Sequence, residues 1–204
     1  MYIPSNIKVD DISIAHDFMN EFGFGVIVTS SLTGTHIPFV LHNNEGEKGV
    51  LYSHCARANK HWKELDGSDV LIIFMGPHSY ISPSWYAQSP AVPTWNYSAV
   101  HAYGKVSLLN DIQTLKAVEE VVNKYEPNLL VKRDIITNEF RDKLLSGIVG
   151  FKIEISDIEC KLKLGQQRKV EDQLGVYKSL LNSSDLDAQS LAKYMKKMSV
   201  GIGS

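Results

Sequence analysis

Cysteine is scarce in this chain: Cys55 and Cys160 are the only two among 204 residues. They form no CxxC and no paired spacing, so no disulfide framework is expected, and two free thiols in a reducing compartment are the simplest account. Long apolar runs are also missing. No stretch nears the roughly 18 residues needed to span a bilayer. The opening Met1-Tyr2-Ile3-Pro4 carries no basic region ahead of an apolar run, so no signal peptide is read and a cytoplasmic location is expected. Nor is there an excess of one charge: 21 Lys and Arg stand against 23 Asp and Glu, a net charge of −2. That balance argues against a strongly basic nucleic-acid footprint. No GxGxxG follows a strand pattern and no GxxxxGK[ST] occurs, which removes local support for a Rossmann or P-loop reading. None of the seven histidines sits in HExxH or a comparable ligand spacing, so no metal site is expected.

What is present is a succession of short strand patterns. Residues 11–22 read as a short helix. Residues 25–30 and 35–42 read as a hairpin around the turn 31–34, with Pro38 confining the second strand to an edge or a bulge. Residues 50–54 form a third strand, 57–65 a short helix stopped by Gly67, and 70–75 an apolar run expected to be a doubly buried strand. The segment 76–97 is unlike the rest, with four prolines and five large aromatics in 22 positions; it is read as a rigid irregular segment. A strand resumes over 100–109. Leu115, Val118 and Val122 fall at helical spacing in a helix starting near Asp111 and ended by Pro127, and a second helix covers about 138–146. Val149, Phe151, Ile153 and Ile155 alternate with polar or small residues. The alternation resumes one step out of phase at Ile158, Cys160, Leu162 and Leu164, placing a bulge or bend at Ser156-Asp157. Residues 186–198 form an amphipathic tail helix. The fold class expected is mainly β with α additions, an antiparallel barrel. The division expected is a domain over 1–180 and a helical tail over 181–204.

Four stretches carry candidate chemistry. Ser53-His54-Cys55-Ala56-Arg57-Ala58-Asn59 lies where a strand meets a helix start. Free N–H groups, the Arg57 guanidinium and the neutral donors Ser53, His54 and Asn59 suit a phosphate; a helix cap with a surface arginine is the alternative. Thr35-His36-Ile37-Pro38-Phe39 could line a flat ring, or His36 could be structural. The aromatic segment, with Trp85 and Thr94-Trp95-Asn96, offers walls for a planar ligand or a subunit interface, or folds over its own core. Lys161 to Arg168 follows the last strand and could bring Gln166 and Arg168 to a cofactor edge, or is a solvated strand end followed by a helix start. Cys55 sits beside His54 and Arg57, which would depress its pKa, but no acid or oxyanion partner is identifiable and no catalytic residue is assigned.

The order of these motifs is more specific than any one of them. Met1-Tyr2-Ile3-Pro4, Thr35-His36-Ile37-Pro38-Phe39, His54-x-Ala56-Arg57-Ala58-Asn59, Gly76-Pro77-His78-x-Tyr80 through Tyr86, Val92 through Tyr97, and Lys163-Leu164-x-Gln166-x-Arg168 together resemble the PaiB family, described as FMN-binding negative transcriptional regulators. The resemblance runs to about residue 180. It implies a homodimeric split β-barrel similar to pyridoxamine-phosphate oxidases, with FMN between subunits. The phosphate would lie near Ser53, His54, Arg57, Ala58 and Asn59, the ring near Thr35, His36 and Pro38, and Trp85 with residues 93–96 would approach from the partner. Gly165 and Gln167 replace the family's usual Ser and Asn in the end motif, which removes a hydroxyl, while Gln166 and Arg168 remain. The chain shows no convincing helix-turn-helix pair, and its basic stretches are limited to 161–169 and 193–197, so DNA binding is implied by the family name and not by charge. A flavin-dependent oxidoreductase and a haem-binding protein of related fold, with His36 or His54 as ligand, are the alternative functions.

Overall fold

A computed structural model describes residues 1–129 and 137–203. Among them lie eight strands and five α-helices. The strands are β1 (Lys8–Val9), β2 (Phe24–Val28), β3 (Gly34–Pro38), β4 (Val40–His42), β5 (Val50–Ala56), β6 (Asp69–Ile81), β7 (Thr94–Leu108) and β8 (Ile148–Lys163). The helices are α1 (Ile12–Glu21), α2 (Asp111–Tyr125), α3 (Asn138–Leu145), α4 (Val170–Leu181) and α5 (Leu186–Met198). The strands form one sheet in the order β3-β2-β6-β7-β8-β5-β4, with β1 added on β8. The pairings of β2 with β3 and β6, of β4 with β5, of β5 with β8 and of β1 with β8 are antiparallel. This is the expected class: mainly β with helical additions, an antiparallel split barrel.

The chain divides into two compact units, each discontinuous. One comprises residues 1–10, 75–99 and 160–204, the other 11–74 and 100–159. Strands β6, β7 and β8 each contribute residues to both.

The larger unit holds the hairpin and both long helical excursions. Asp11 caps α1 by accepting from the Ser13 amide at 2.9 Å, and Asn110 and Gln113 form a reciprocal capping box on α2, as side chains with free acceptors do at helix starts. The hairpin strand expected over 35–42 is interrupted at Phe39, whose amide donates to the Gly23 carbonyl at 2.7 Å. Pro38 thus ends β3, a sheet edge, where its missing N–H costs nothing. Ile27, Ile72, Phe74, Val100, Phe151 and Ile153 are fully buried. On α2 the innermost residues are Thr114 and Ala117, not the Leu115, Val118 and Val122 row. The reason is proximity: a Cβ on Gly150 of β8 would collide with the Thr114 side chain, so the helix rides close on small residues.

The smaller unit contains the ends of β6, β7 and β8 and the pair α4 and α5, joined by residues 182–185. Leu180, Leu191, Ala192 and Met195 are buried, placing the periodic face of the tail helix inward as its sequence predicts. The segment 76–97 is more regular than expected. Residues 76–81 continue β6, Pro83–Trp85 form one 3₁₀ turn, and β7 already begins at Thr94. Ser79 and Ile81 are buried on either side of the exposed Tyr80, the alternation a strand gives when one side must hide. Along β8 the buried phase changes at Ser156 and Asp157, both exposed, where the sequence pattern slips.

Candidate functional site

Eight of the candidate residues fall in the larger unit. Thr35, His36 and Pro38 lie on β3, Ser53 and His54 on β5, and Arg57, Ala58 and Asn59 on the turn that follows. Local hydrogen bonds join them. Asn59 Nδ2 donates to Thr35 Oγ1 at 3.1 Å, and Ser53 Oγ donates to the Pro38 carbonyl at 2.7 Å. Ser53 is fully buried, so its hydroxyl serves the hairpin. His36 is exposed, stacked near Phe24 with ring centroids 6.3 Å apart.

The helix expected over 57–65 is a five-residue 3₁₀ turn, Lys60–Glu64. So short a segment sums too few peptide dipoles to attract a phosphate, and its second amide, that of His61, is already taken by Asn59 Oδ1 at 3.1 Å. The helix-terminus part of the phosphate reading is therefore corrected. The guanidinium part stands on different ground. Arg57 is exposed, and its Nε and Nη2 donate to the carbonyls of Ser146 and Ile148 at 2.8 and 2.9 Å. Two of its five donors are thus spent on a backbone clamp, on a side chain that is otherwise exposed. An open depression of about 440 Å³ lies beside it, lined by Arg57, Asp111, Leu145 and Ser146.

Two groups bear on occupancy of this region. Nδ1 of His54 is buried without a hydrogen-bond partner among the described residues, a vacancy that a ligand donor or acceptor would satisfy. Burial pushes the His54 imidazole below its usual pKa, so at neutral pH it is an uncharged group. Cys55, by contrast, is corrected: burial pushes its thiol up, which leaves no low-pKa thiolate beside Arg57.

The remaining six candidates lie in the smaller unit. Lys163 Nζ donates to Thr94 Oγ1 and to the Trp95 carbonyl, both at 2.6 Å, tying the end of β8 to the start of β7. Trp95 is 48% exposed and borders His78 and Tyr80, with centroids 5.9 and 6.3 Å apart. Asn96 is buried. Gln166 closes on its own strand end, donating to the Leu162 carbonyl at 2.6 Å and accepting from the Leu164 amide at 2.9 Å. It is a backbone staple, which corrects its placement at a cofactor edge. Arg168 lies over the Tyr86 ring, 4.4 Å from its centroid. Trp85 is half-buried, and its carbonyl blocks the space a Cβ on Gly175 would need. Lys161 is also not part of a surface basic patch: it is buried, donates to the Tyr2 carbonyl at 3.0 Å and lies over the Tyr97 ring at 4.9 Å.

Sequence reasoning passed over one buried group that the larger unit builds into its site. His61 is 4% exposed; its Nδ1 meets Thr35 Oγ1 at 2.8 Å and its Nε2 meets Thr29 Oγ1 at 3.1 Å. The signal available was the cap residue Asn59 two positions earlier, which fixes where His61 points. Burial lowers the pKa of His61 as it does that of His54 and His101. The sign follows: an imidazole harder to protonate when folded leaves the unfolded chain binding more protons. Stability therefore falls as pH drops below about 6.5, the ordinary histidine value. Glu64 and Asp11, held below the usual carboxylate range chiefly by hydrogen bonds from Ser31 and Ser13, extend the loss at lower pH. Urea unfolding at pH 7.5, 6 and 5 should give steadily lower midpoints; a flat series would show these groups to be as easily protonated folded as unfolded.

The fold defines a class, the antiparallel split barrel. The chain belongs to the family described as "Putative FMN-binding domain", whose model matches residues 1–157. It is 36% identical over 202 residues to "Protease synthase and sporulation protein PAI 2" of Bacillus subtilis, covering 96% of this chain and 97% of that protein. This upholds the PaiB resemblance. A protein of Emericella nidulans is 27% identical, with 89% and 91% covered. Among solved structures, the flavocytochrome Anf3 of Azotobacter vinelandii matches 80% of this chain and 73% of its own with a TM-score of 0.58 at 14% identity. An FAD- and heme-binding protein of Mycobacterium smegmatis matches 78% and 74% with a TM-score of 0.56 at 11% identity. These two share the fold. FMN is thus the cofactor of the family to which the chain belongs. Among the described residues, no helix is long and apolar enough to cross a membrane.

Proposed function

We propose that the chain is an FMN-binding regulatory or sensor protein, with the phosphate held by the remaining donors of Arg57 and the ring edge met by Thr35 and Asn59. The observation that supports it most is the hydrogen-bonded pair Thr35 and Asn59, set one turn from an arginine with donors to spare. Bound FMN supplies a redox-active ring; this chain's residues orient it and neutralise its phosphate. Hydrogen bonds to a charged group contribute about 1.5–3 kcal/mol each, so three give about 4.5–9 kcal/mol, and contacts to the ring supply the rest of the roughly 8 kcal/mol that micromolar retention needs.

The functional form in this reading is a homodimer, with the aromatic wall supplied by the partner subunit's Trp85 and the partner subunit's Trp95. The regulatory half is supported by similarity to a protein named for protease synthesis and sporulation. On this chain, Lys193, Lys196 and Lys197 are exposed along α5 opposite its buried face.

Purified protein titrated with FMN should quench free flavin fluorescence and reach one FMN per subunit, with a dimer mass by light scattering. A promoter fragment should be retarded in a gel at low salt and released as salt rises. Absence of flavin retention defeats the binding reading. Bleaching of bound flavin by NAD(P)H without any DNA retention moves the function to an oxidoreductase.

A further inference from the structure

Around His61 the polar side chains form a continuous hydrogen-bonded chain. Glu64 Oε2 accepts from Thr29 Oγ1 at 3.2 Å and from Ser31 Oγ at 2.6 Å. Thr29 Oγ1 also lies 3.0 Å from Ser31 Oγ, whose own proton Glu64 takes at 2.6 Å; with its proton given to Glu64, Thr29 accepts from His61, which puts the imidazole hydrogen on Nε2. Nδ1 is then an acceptor, and among the described residues it meets the Thr35 hydroxyl, 2.8 Å away. Thr35 in turn accepts from Asn59 Nδ2. The chain runs Asn59 to Thr35 to His61 to Thr29 to Glu64, each hydroxyl accepting once and donating once. It begins at two half-buried groups of the candidate flavin site and ends at an exposed carboxylate.

The consequence lies at the open end. Because the Thr35 proton points inward to His61, Thr35 presents only a lone pair outward, and Asn59, with one N–H spent on Thr35, has one left to offer. An outward acceptor beside an outward donor complements an N–H flanked by a carbonyl, the chemistry of an imide edge such as that of a flavin pyrimidine ring. We propose that His61 is a positioning residue that sets the polarity of Thr35 toward this imide edge, under the control of Thr29 and Glu64 on its far side. The role rests on the flavin-binding reading above. Were His61 to gain a second proton, Nδ1–H would donate to Thr35, whose hydroxyl would turn outward and oppose the imide N–H. Among the described residues Glu64 is the charge that acts on the ring; the turn 29–33 and strand β3 present it with the hydroxyls of Thr29 and Thr35.

Thr29 is 5% exposed and lies behind His61, so it is the lever for the test. In Thr29→Val the Nε2–H loses its acceptor and the tautomer flips, reversing Thr35 without touching it. FMN affinity should fall about three- to tenfold, the worth of one hydrogen bond, and Thr29→Ser should restore it. Wild type should lose FMN affinity more steeply between pH 7 and 5 than Thr29→Val, in which Thr35 is already reversed. Nitrogen NMR of wild-type protein should report hydrogen on Nε2 of His61, a readout that requires neither variant nor ligand. Hydrogen on Nδ1, or equal affinity and equal pH slope in Thr29→Val, overturns the role of His61 while leaving flavin binding intact. Failure of wild type to retain FMN at any pH takes both readings down together.

Discussion

Arg57→Ala should weaken FMN binding by at least about tenfold, the loss of one charge-assisted hydrogen bond or more. Because the guanidinium also clamps the carbonyls of Ser146 and Ile148, the same variant should unfold at lower urea than wild type. The two effects separate with Arg57→Lys. Lysine keeps the charge but has no planar fork with which to hold two carbonyls at once, so it should recover part of the FMN affinity and little of the lost stability. Fluorescence titration with FMN and urea unfolding, run side by side on both variants, measure the two effects. Undiminished FMN affinity in Arg57→Ala would place the phosphate elsewhere, and the open depression beside Arg57 would then have no claim on it.

Phe74→Ala carries the largest expected cost in stability, about 3–5 kcal/mol. Phe74 is fully buried on β6 and meets Phe39 edge-on, with centroids 5.5 Å apart at 74°. Phe39 is the residue at which the hairpin strand breaks between β3 and β4. Its ring anchors that break, and removing Phe74 leaves both a cavity and an unpartnered edge. Domains of this kind have about 5–15 kcal/mol in all, so the variant should sit close to the unfolding threshold at 37 °C. Since Phe39 follows Pro38 directly, weaker FMN binding should accompany the lower urea midpoint. A loss under about 1 kcal/mol would mean that the surrounding side chains collapse into the space.

Local pattern carried much of the architecture. The period of 186–198 and the phase slip at Ser156-Asp157 are short-range signals, and each is where its residues predict. The same holds for the order of motifs, which names the family because it spans the chain and depends on no contact. The short helix after Arg57 was misjudged because helical spacing over 57–65 cannot distinguish an α-helix from a 3₁₀ turn when Asn59 caps it from within and Leu65 closes it. The strand over 76–81 was hidden by its prolines and aromatics, which a sheet tolerates once alternate positions are buried.

The candidate site divides along the same line. From its residues alone, the chain determined which groups are available: an arginine, an amide, hydroxyls, histidines and an aromatic stretch. Tertiary structure alone decided what each is used for. Ser53 and Gln166 became staples for backbone carbonyls, Lys161 went inside against Tyr2 and Tyr97, and Cys55 lost any prospect of a low pKa. His61, an unremarked residue in the sequence, became the link between Thr35 and Glu64. The reason is physical. A side chain's type is a local property, whereas the partner that claims its hydrogen bond is often set by a distant segment, as the Tyr2 carbonyl is for Lys161 and Thr35 for His61, and a polar group once buried must take whichever partner the fold brings to it.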